Sequence, residues 1–184
     1  GVLAGGCVQE EIRFTVSPEC LVSLMLCEVM LGDEAVLIAG TEMFSEHSGY
    51  RQSFAYKGPY NDTTPMNRAG TRRDCVIAAF DATRMSRHTG QYGPVAITRE
   101  LNKCLAAVLP SEAIEAQPMQ LSQFATGNWG SGAFRGDPQL KSFLQWAAAS
   151  LAGRGIVYYS FGDRRVERLG EVVAAVEARR DFTV

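Results

Sequence analysis

Histidine is almost absent from this chain, and the two present, His47 and His88, are far apart in sequence. The five cysteines, Cys7, Cys20, Cys27, Cys75 and Cys104, form no C-x-x-C pair and are odd in number. Those two scarcities argue against a zinc site and against a disulfide framework. Reduced thiols in an intracellular setting are the expectation. Cys20 and Cys27, on an expected helix, read as small packing residues. Positive charge is not in excess either: Lys and Arg total 18 against 20 Asp and Glu, with net charge -2 and pI near 5.8. A basic nucleic-acid footprint, and with it direct DNA binding, is therefore not expected. No apolar run approaches the roughly 20 residues of a membrane span, and no stretch reads as a signal peptide. Repeats, low-complexity tracts and inter-domain linkers are missing.

What is present is an ordinary globular composition, 46% hydrophobic and 21% charged over 184 residues. That length supports one domain, residues 1–184, with a sizeable core. The chain begins inside a glycine run, GVLAGG, an unusual place for a domain to start; sequence upstream of Gly1 is therefore expected. Ser17-Pro18 reads as a helix opening, continuing through LVSLMLCEVML to Gly32. AVLIAG (35–40) and CVIAAFDA (75–82) read as strands. Residues 51–73, with Gly58, Pro59, Pro65 and Gly70, read as one long surface loop. Residues 94–109 have helical spacing, with Ile97, Leu101, Cys104, Leu105 and Val108 on one face. LSQFAT (121–126) reads as a strand running into GNWGSGAFRGD. Asp137-Pro138 caps another helix, carrying Leu140, Phe143, Leu144, Ala147 and Leu151. IVYYSF (156–161) is a strand, and an amphipathic helix follows Asp163. Strands alternating with helices indicate an α/β layered domain with a parallel or mixed sheet. Ligands of such folds settle beyond the carboxyl ends of strands, where TEMFSEHSGY, GNWGSGAF and FGD all stand.

Two stretches carry chemistry. In GNWGSGAF (127–134), closely spaced glycines let the backbone approach a ligand and turn N–H groups inward, which suits a diphosphate. A tight turn is an equal reading of the same residues. The loop is not a P-loop, a nucleophile elbow or a G-x-G-x-x-G fingerprint, which leaves a nucleotide-dependent oxidoreductase without its signature. The second stretch is Glu10-Glu11. Adjacent acids are usually a solvated surface, but Val8 and Ile12 flank this pair and a glycine run precedes it. At least one acid is therefore expected to line a pocket. Desolvation and like charge favour the protonated form of a carboxyl in such surroundings, the form that donates to a leaving oxygen. The aromatics Tyr50, Trp129, Phe134 and Phe161 sit at the mouths of the same loops. Core packing is the default for each, and an aromatic face there can also stack on a base or a ribose.

GVLAGGCVQEE resembles the poly(ADP-ribose) glycohydrolase signature, with Gly1 as the last of its glycines and Val2 to Val8 as the spacer before Gln9. QEEIRF, SPE opening a helix, GTEMFSEHSGY, RELNKC, ATGNWGSGAFRGD and VYYSFGD follow in the family's order. The resemblance implies a macrodomain-like α/β/α three-layer sandwich with a mixed sheet, its first strand or strands lying before Gly1. It implies exo-type hydrolysis of ribose–ribose O-glycosidic bonds in poly(ADP-ribose), releasing ADP-ribose, with no cofactor or metal. By residue, it makes Glu11 the catalytic acid and Glu10 the neighbour that holds the terminal ribose hydroxyls, with Gln9 completing the triplet. Gly130, Ser131, Gly132, Ala133 and Phe134 become the diphosphate loop, Ser131 standing where the family often has cysteine. Phe134 sets the terminal ribose, and Tyr50 and Phe161 stand about the adenosine. Gly1 and Asn128 fall within the matched motifs. The implied partners are poly(ADP-ribose) and ADP-ribose, ADP-ribosylated proteins indirectly, and no membrane; a monomer in nucleus or cytoplasm is the expectation. A macrodomain-like reader that binds without hydrolysing is the alternative, and it would need the loop but not the acid pair.

Consecutive acids cannot easily take the two opposed positions of an ordinary glycosidase. A single-acid scheme, with Glu11 as acid and then base, fits the spacing better. Arg72, Arg73, Arg164 and Arg165 read as solvated surface charge before they read as steering for a polyanion.

Overall fold

The computed structural model describes residues 8–86, 90–109 and 123–179. Gly1 and the rest of the opening glycine run, Cys7, His88, and Leu121 and Ser122 of an expected strand lie outside them. The chain divides into two compact units, residues 1–80 with 110–120, and residues 81–109 with 121–184.

In the first unit, α1 (Gln9–Val16) starts with Glu10 and Glu11 in its first turn, where carboxylates oppose the positive end of the helix. Ile12, Phe14 and Val16 are buried and anchor it. The helix expected from Pro18 to Gly32 is not continuous. Pro18 opens a 3-10 helix (Pro18–Val22), one α turn follows as α2 (Ser23–Leu26), and Cys27 is extended. Ser17 does precede the proline, but its hydroxyl makes no cap bond. Met25, Leu26 and Val29 are 85%, 79% and 75% exposed. A helix draws most of its stability from a buried face, and past Cys20 no residue up to Gly32 is buried. Cys20 packs as expected, while Cys27 is exposed.

β1 (Val36–Ala39) pairs antiparallel with β4 (Val76–Ala79), Val36 opposite Ala79. The loop expected over 51–73 instead contains the second strand of an antiparallel hairpin, whose first strand precedes it. β2 (Ser45–Ser48) pairs with β3 (Ala55–Pro59) across a 3-10 turn at Arg51–Ser53, with a bulge at Glu46/His47. Polar side chains hid this hairpin, because neither strand has a buried face to print on the sequence.

In the second unit, β5 (Gln123–Gly127) and β6 (Gly155–Tyr159) are parallel, with Gly127 opposite Tyr159. α4 (Pro138–Leu151) makes the crossover, and α3 (Pro94–Val108) packs against it. Asp137 caps α4 as expected, its Oδ1 accepting from the Leu140 N–H at 2.8 Å. A 3-10 turn (Arg164–Val166) precedes α5 (Leu169–Glu177). The buried face of α3 is Glu100, Lys103, Cys104, Ala107 and Val108; of the expected stripe Cys104 and Val108 are buried, while Ile97, Leu101 and Leu105 are only half-buried. That of α4 includes Lys141, Leu144, Gln145, Ala148 and Ala149. Both sets follow the i, i+3, i+4, i+7, i+8 spacing of one helical face, and the small alanines let the two helices approach.

Candidate functional site

The acid triplet forms the first turn of α1. Gln9 is exposed, and Glu10 and Glu11 are half-buried. The Val8 N–H donates to Glu11 Oε2 at 3.2 Å, and the Thr15 hydroxyl donates to the Glu11 carbonyl at 2.7 Å. A glutamate at this helix position commonly bonds back to the N-cap amide. Here that bond fixes the direction of the carboxyl and, among the described residues, nothing donates a hydrogen bond to Oε1.

The next segment of the first unit is stitched onto this helix. The Phe44 N–H donates to the Val16 carbonyl at 2.8 Å, and the Tyr60 N–H to the Phe44 carbonyl at 2.9 Å. Asp62 Oδ2 accepts from the Met43 N–H at 2.8 Å, and Glu42 Oε1 pairs with Arg73 at 2.6 Å. The Met43 amide, and after it the Thr64 bond, hold the Asp62 carboxyl down at about 2. Tyr50 stands just past β2, half exposed, with the Arg51 guanidinium 5.9 Å above its ring.

The second unit brings together Asn128, the glycine loop and Phe161, all past the carboxyl ends of the parallel pair. Pairing of Gly127 with Tyr159 sets Asn128 beside Ser160. Asn128 Nδ2 donates to the Ser160 carbonyl at 2.9 Å, and Tyr158 Oη donates to Asn128 Oδ1 at 2.7 Å. Asn128 thus ties the two strand ends together. Phe161 holds a left-handed backbone (φ 53), is exposed, and places its ring edge 2.9 Å from where a Cβ on Gly127 would lie.

The loop itself turns on four internal bonds. The Trp129 N–H donates to the Gly127 carbonyl, Ser131 to Asn128, Arg135 to Gly132, and Gly136 to Gly130. Gly130 is left-handed (φ 69). Among the described residues, the N–H groups of Gly130, Gly132, Ala133 and Phe134 donate to no carbonyl or side chain. Three of these, Gly132 to Phe134, are successive, and successive backbone amides free of internal bonds are the kind of group that binds an anion. The start of α4 follows, adding the positive end of a helix. Ser131 is 7% exposed and its amide closes a turn, so the loop offers four amides of its five residues. Phe134 is 38% exposed, and its carbonyl accepts from the Met85 N–H at 2.7 Å.

Beneath this loop lies a charged cluster that sequence reasoning missed. Lys141, fully buried, has Nζ 4.3 Å from the Trp129 ring centroid and in a salt bridge with Glu100 Oε2. Glu100 Oε1 accepts from the Thr83 N–H (3.0 Å), the Thr83 hydroxyl (2.6 Å) and Arg99 (2.7 Å). Asp81 pairs with Arg99 at 2.8 Å and with buried Lys103 at 2.7 Å. Burial pulls the Lys141 pKa below the usual lysine range, with Arg99 adding to the shift; the Glu100 carboxylate against it works in the opposite sense. The signal was present: Glu100, Lys103 and Lys141 fall in phase with the small, buried positions of their helices. By contrast, burial pushes the Cys104 thiol up to about 12, which fits a packing residue and not a nucleophile.

Among the described residues, no cluster of His, Cys, Asp and Glu could hold a metal ion, and no helix is long and apolar enough to cross a membrane.

Residues 1–168 match the family described as poly(ADP-ribose) glycohydrolase, macro domain fold. The chain is 34% identical to probable poly(ADP-ribose) glycohydrolase 2 of Arabidopsis thaliana, over 96% of this chain and 40% of that protein. It is 30% identical to poly(ADP-ribose) glycohydrolase 1 of the same plant, over 94% of this chain and 42% of the relative. It is also 34% identical to poly(ADP-ribose) glycohydrolase 1 of Caenorhabditis elegans, over 100% of this chain and 24% of the relative. The chain thus spans less than half the length of these relatives.

Proposed function

Since the chain belongs to the poly(ADP-ribose) glycohydrolase family, we propose that it hydrolyses the ribose–ribose O-glycosidic bonds of poly(ADP-ribose) from a chain end, releasing ADP-ribose. In this reading residues 1–184 are one macrodomain-like α/β/α three-layer sandwich. The structure forms β1–β4, β2–β3 and β5–β6 as three separate two-stranded sheets, two antiparallel and one parallel, so both strand senses that a mixed sheet needs are present.

The carrying observation is the Glu11 carboxyl. It is half-buried, fixed through Oε2 by the Val8 amide, and has its other oxygen unpaired by the described residues. The bond to be broken is an acetal, so its leaving oxygen needs a proton. Protonated Glu11 gives that proton to the departing ribose oxygen as the bond to the anomeric carbon breaks. The oxocarbenium-like carbon then takes the oxygen of a water molecule, and the Glu11 carboxylate accepts that water's proton, which restores the acid. Glu10 holds the hydroxyls of the terminal ribose. The amides of Gly130, Gly132, Ala133 and Phe134 bind the diphosphate, whose negative charge steadies the carbon's positive charge. Phe134 sets the ribose, and Tyr50 and Phe161 flank the adenosine. No metal or cofactor enters these steps.

Glu11→Gln tests the reading. Glutamine retains an oxygen that can accept the Val8 N–H, so the cap survives while the proton donor is lost. Turnover of poly(ADP-ribose) should fall about 100- to 10,000-fold, with ADP-ribose affinity and melting temperature close to those of the parent. Near-normal turnover would overturn the assignment. A parent protein that binds ADP-ribose without shortening poly(ADP-ribose) would favour the non-hydrolytic reader, in which Glu11 is only a helix cap.

A further inference from the structure

We propose that Lys141, held by Glu100, is a positioning residue that sets the shape of the anion-binding loop from its buried side and so tunes its affinity for a diphosphate. The inference rests on the diphosphate reading of residues 130–134. The geometry behind it is a set of close approaches. The Lys141 ammonium lies 4.3 Å from the Trp129 ring centroid, within cation–π range. A Cβ on Gly130 would fall 3.4 Å from Lys141 Nζ, and one on Gly136 would fall 2.9 Å from Lys141 Cε. The loop's two ends, joined by the Gly136 N–H to Gly130 carbonyl bond at 2.9 Å, therefore rest directly on the lysine stem. A side chain at either glycine would push the loop off it.

The lysine is in turn held from behind. Glu100 reaches it with Oε2, and with Oε1 it anchors Thr83 through both N–H and hydroxyl. Thr83 lies between two residues that touch the loop themselves. Ala82 Cβ stands 2.5 Å from where a Gly130 Cβ would be, and the Met85 N–H donates to the Phe134 carbonyl. Gln145, buried one turn along α4, receives the Thr126 hydroxyl and donates to the Gly127 carbonyl at 3.2 Å. One buried ion pair thus grips the underside of the loop at Trp129, Gly130 and Gly136, and through Thr83 the segment under Phe134. The free amides point to the ligand only while that underside keeps its shape. A buried charge pair is a weak source of net stability, so holding one conformation is a better account of why the charges are there.

The test uses the full chain carrying Lys141→Met, and the double variant Lys141→Met with Glu100→Gln. Methionine keeps most of the stem volume, and the double variant removes both buried charges, so it remains informative if the single variant fails to fold. Two quantities are read on folded protein: hydrogen exchange of the Ser131 and Gly136 amides without ligand, and calorimetric affinity for ADP-ribose and for adenosine, which has no phosphate. In both variants the two amides should exchange about tenfold faster. ADP-ribose should bind about tenfold more weakly, equivalent to about 1.4 kcal/mol, with adenosine affinity unchanged. A role confined to helix packing predicts otherwise: melting temperature falls in the single variant and recovers in the double, with loop exchange and ADP-ribose affinity as in the parent. That result would overturn the inference. If the parent itself binds no ADP-ribose, the proposed function falls, and the exchange of Ser131 and Gly136 still decides whether Lys141 shapes the loop.

Discussion

Within the glycine loop, neighbouring glycines have different reasons to be glycine, and substitution separates them. Gly130 is left-handed and a Cβ there would stand 2.5 Å from that of Ala82. Gly132 has an ordinary backbone, and a Cβ there would meet nothing within 4 Å. Gly130→Ala should therefore cost about 1–3 kcal/mol of unfolding free energy, and Gly132→Ala less than about 0.5 kcal/mol. Urea unfolding of the two variants measures the contrast, and equal losses would mean that the loop is not held against Ala82. The sequence marked this loop as a place of close backbone approach without telling a turn from an anion cradle. Which amides bond internally is not legible in the sequence: that of Ser131 closes a turn, and those of Gly132 to Phe134 do not. The acid pair is visible in the sequence only as residue types, whereas its place in the first turn of a helix and the Val8 bond that fixes Glu11 are not.

Among the elements, those that bury apolar side chains were readable and those held by polar ties were not. AVLIAG, CVIAAF and IVYYSF became β1, β4 and β6 because burial selects apolar runs. β2 and β3, with SEHS and AYKGP, carry no such run and took the appearance of a loop. The segment ahead of this hairpin is held in part through Asp62, which accepts from the Met43 N–H, and that tie is sensitive to pH. Its carboxyl, at about 2 when folded against 3.8 ordinarily, favours the folded state above about pH 4. The contribution is lost as pH falls through 2, where the folded protein also takes up the proton. Asp62→Asn should therefore lower the melting temperature near neutrality, and the gap from the parent should close between pH 4 and 2. A gap independent of pH would show that the Met43 and Thr64 bonds do not depend on the charge.

Over the whole molecule, the distribution of charge bears on how a polyanion is met. The chain carries net charge -2, and two of the arginines first open to a steering role, Arg73 and Arg165, are held in ion pairs, while Arg164 is exposed. Arg73 pairs with Glu42 and donates to the Thr64 carbonyl at 2.9 Å. Arg165 makes a two-pronged pair with Asp163. The stem of Arg72 packs where Gly40 leaves room, 2.7 Å from the position of a Cβ. Arg99 belongs to the buried cluster with Glu100 and Asp81. On the proposed function, recognition of poly(ADP-ribose) rests on backbone amides and aromatic faces acting on one ADP-ribose unit at the chain end, with these paired arginines adding little long-range attraction for the rest of the polymer. Such contacts release few condensed counterions. Raising salt from about 50 to about 200 mM should lower kcat/KM on poly(ADP-ribose) by less than about tenfold, against about a thousandfold or more for a protein that neutralises many phosphates with lysine and arginine. A steep salt dependence, or a large rise in KM for Arg73→Gln at unchanged melting temperature, would place the missing positive charge in the recognition surface after all.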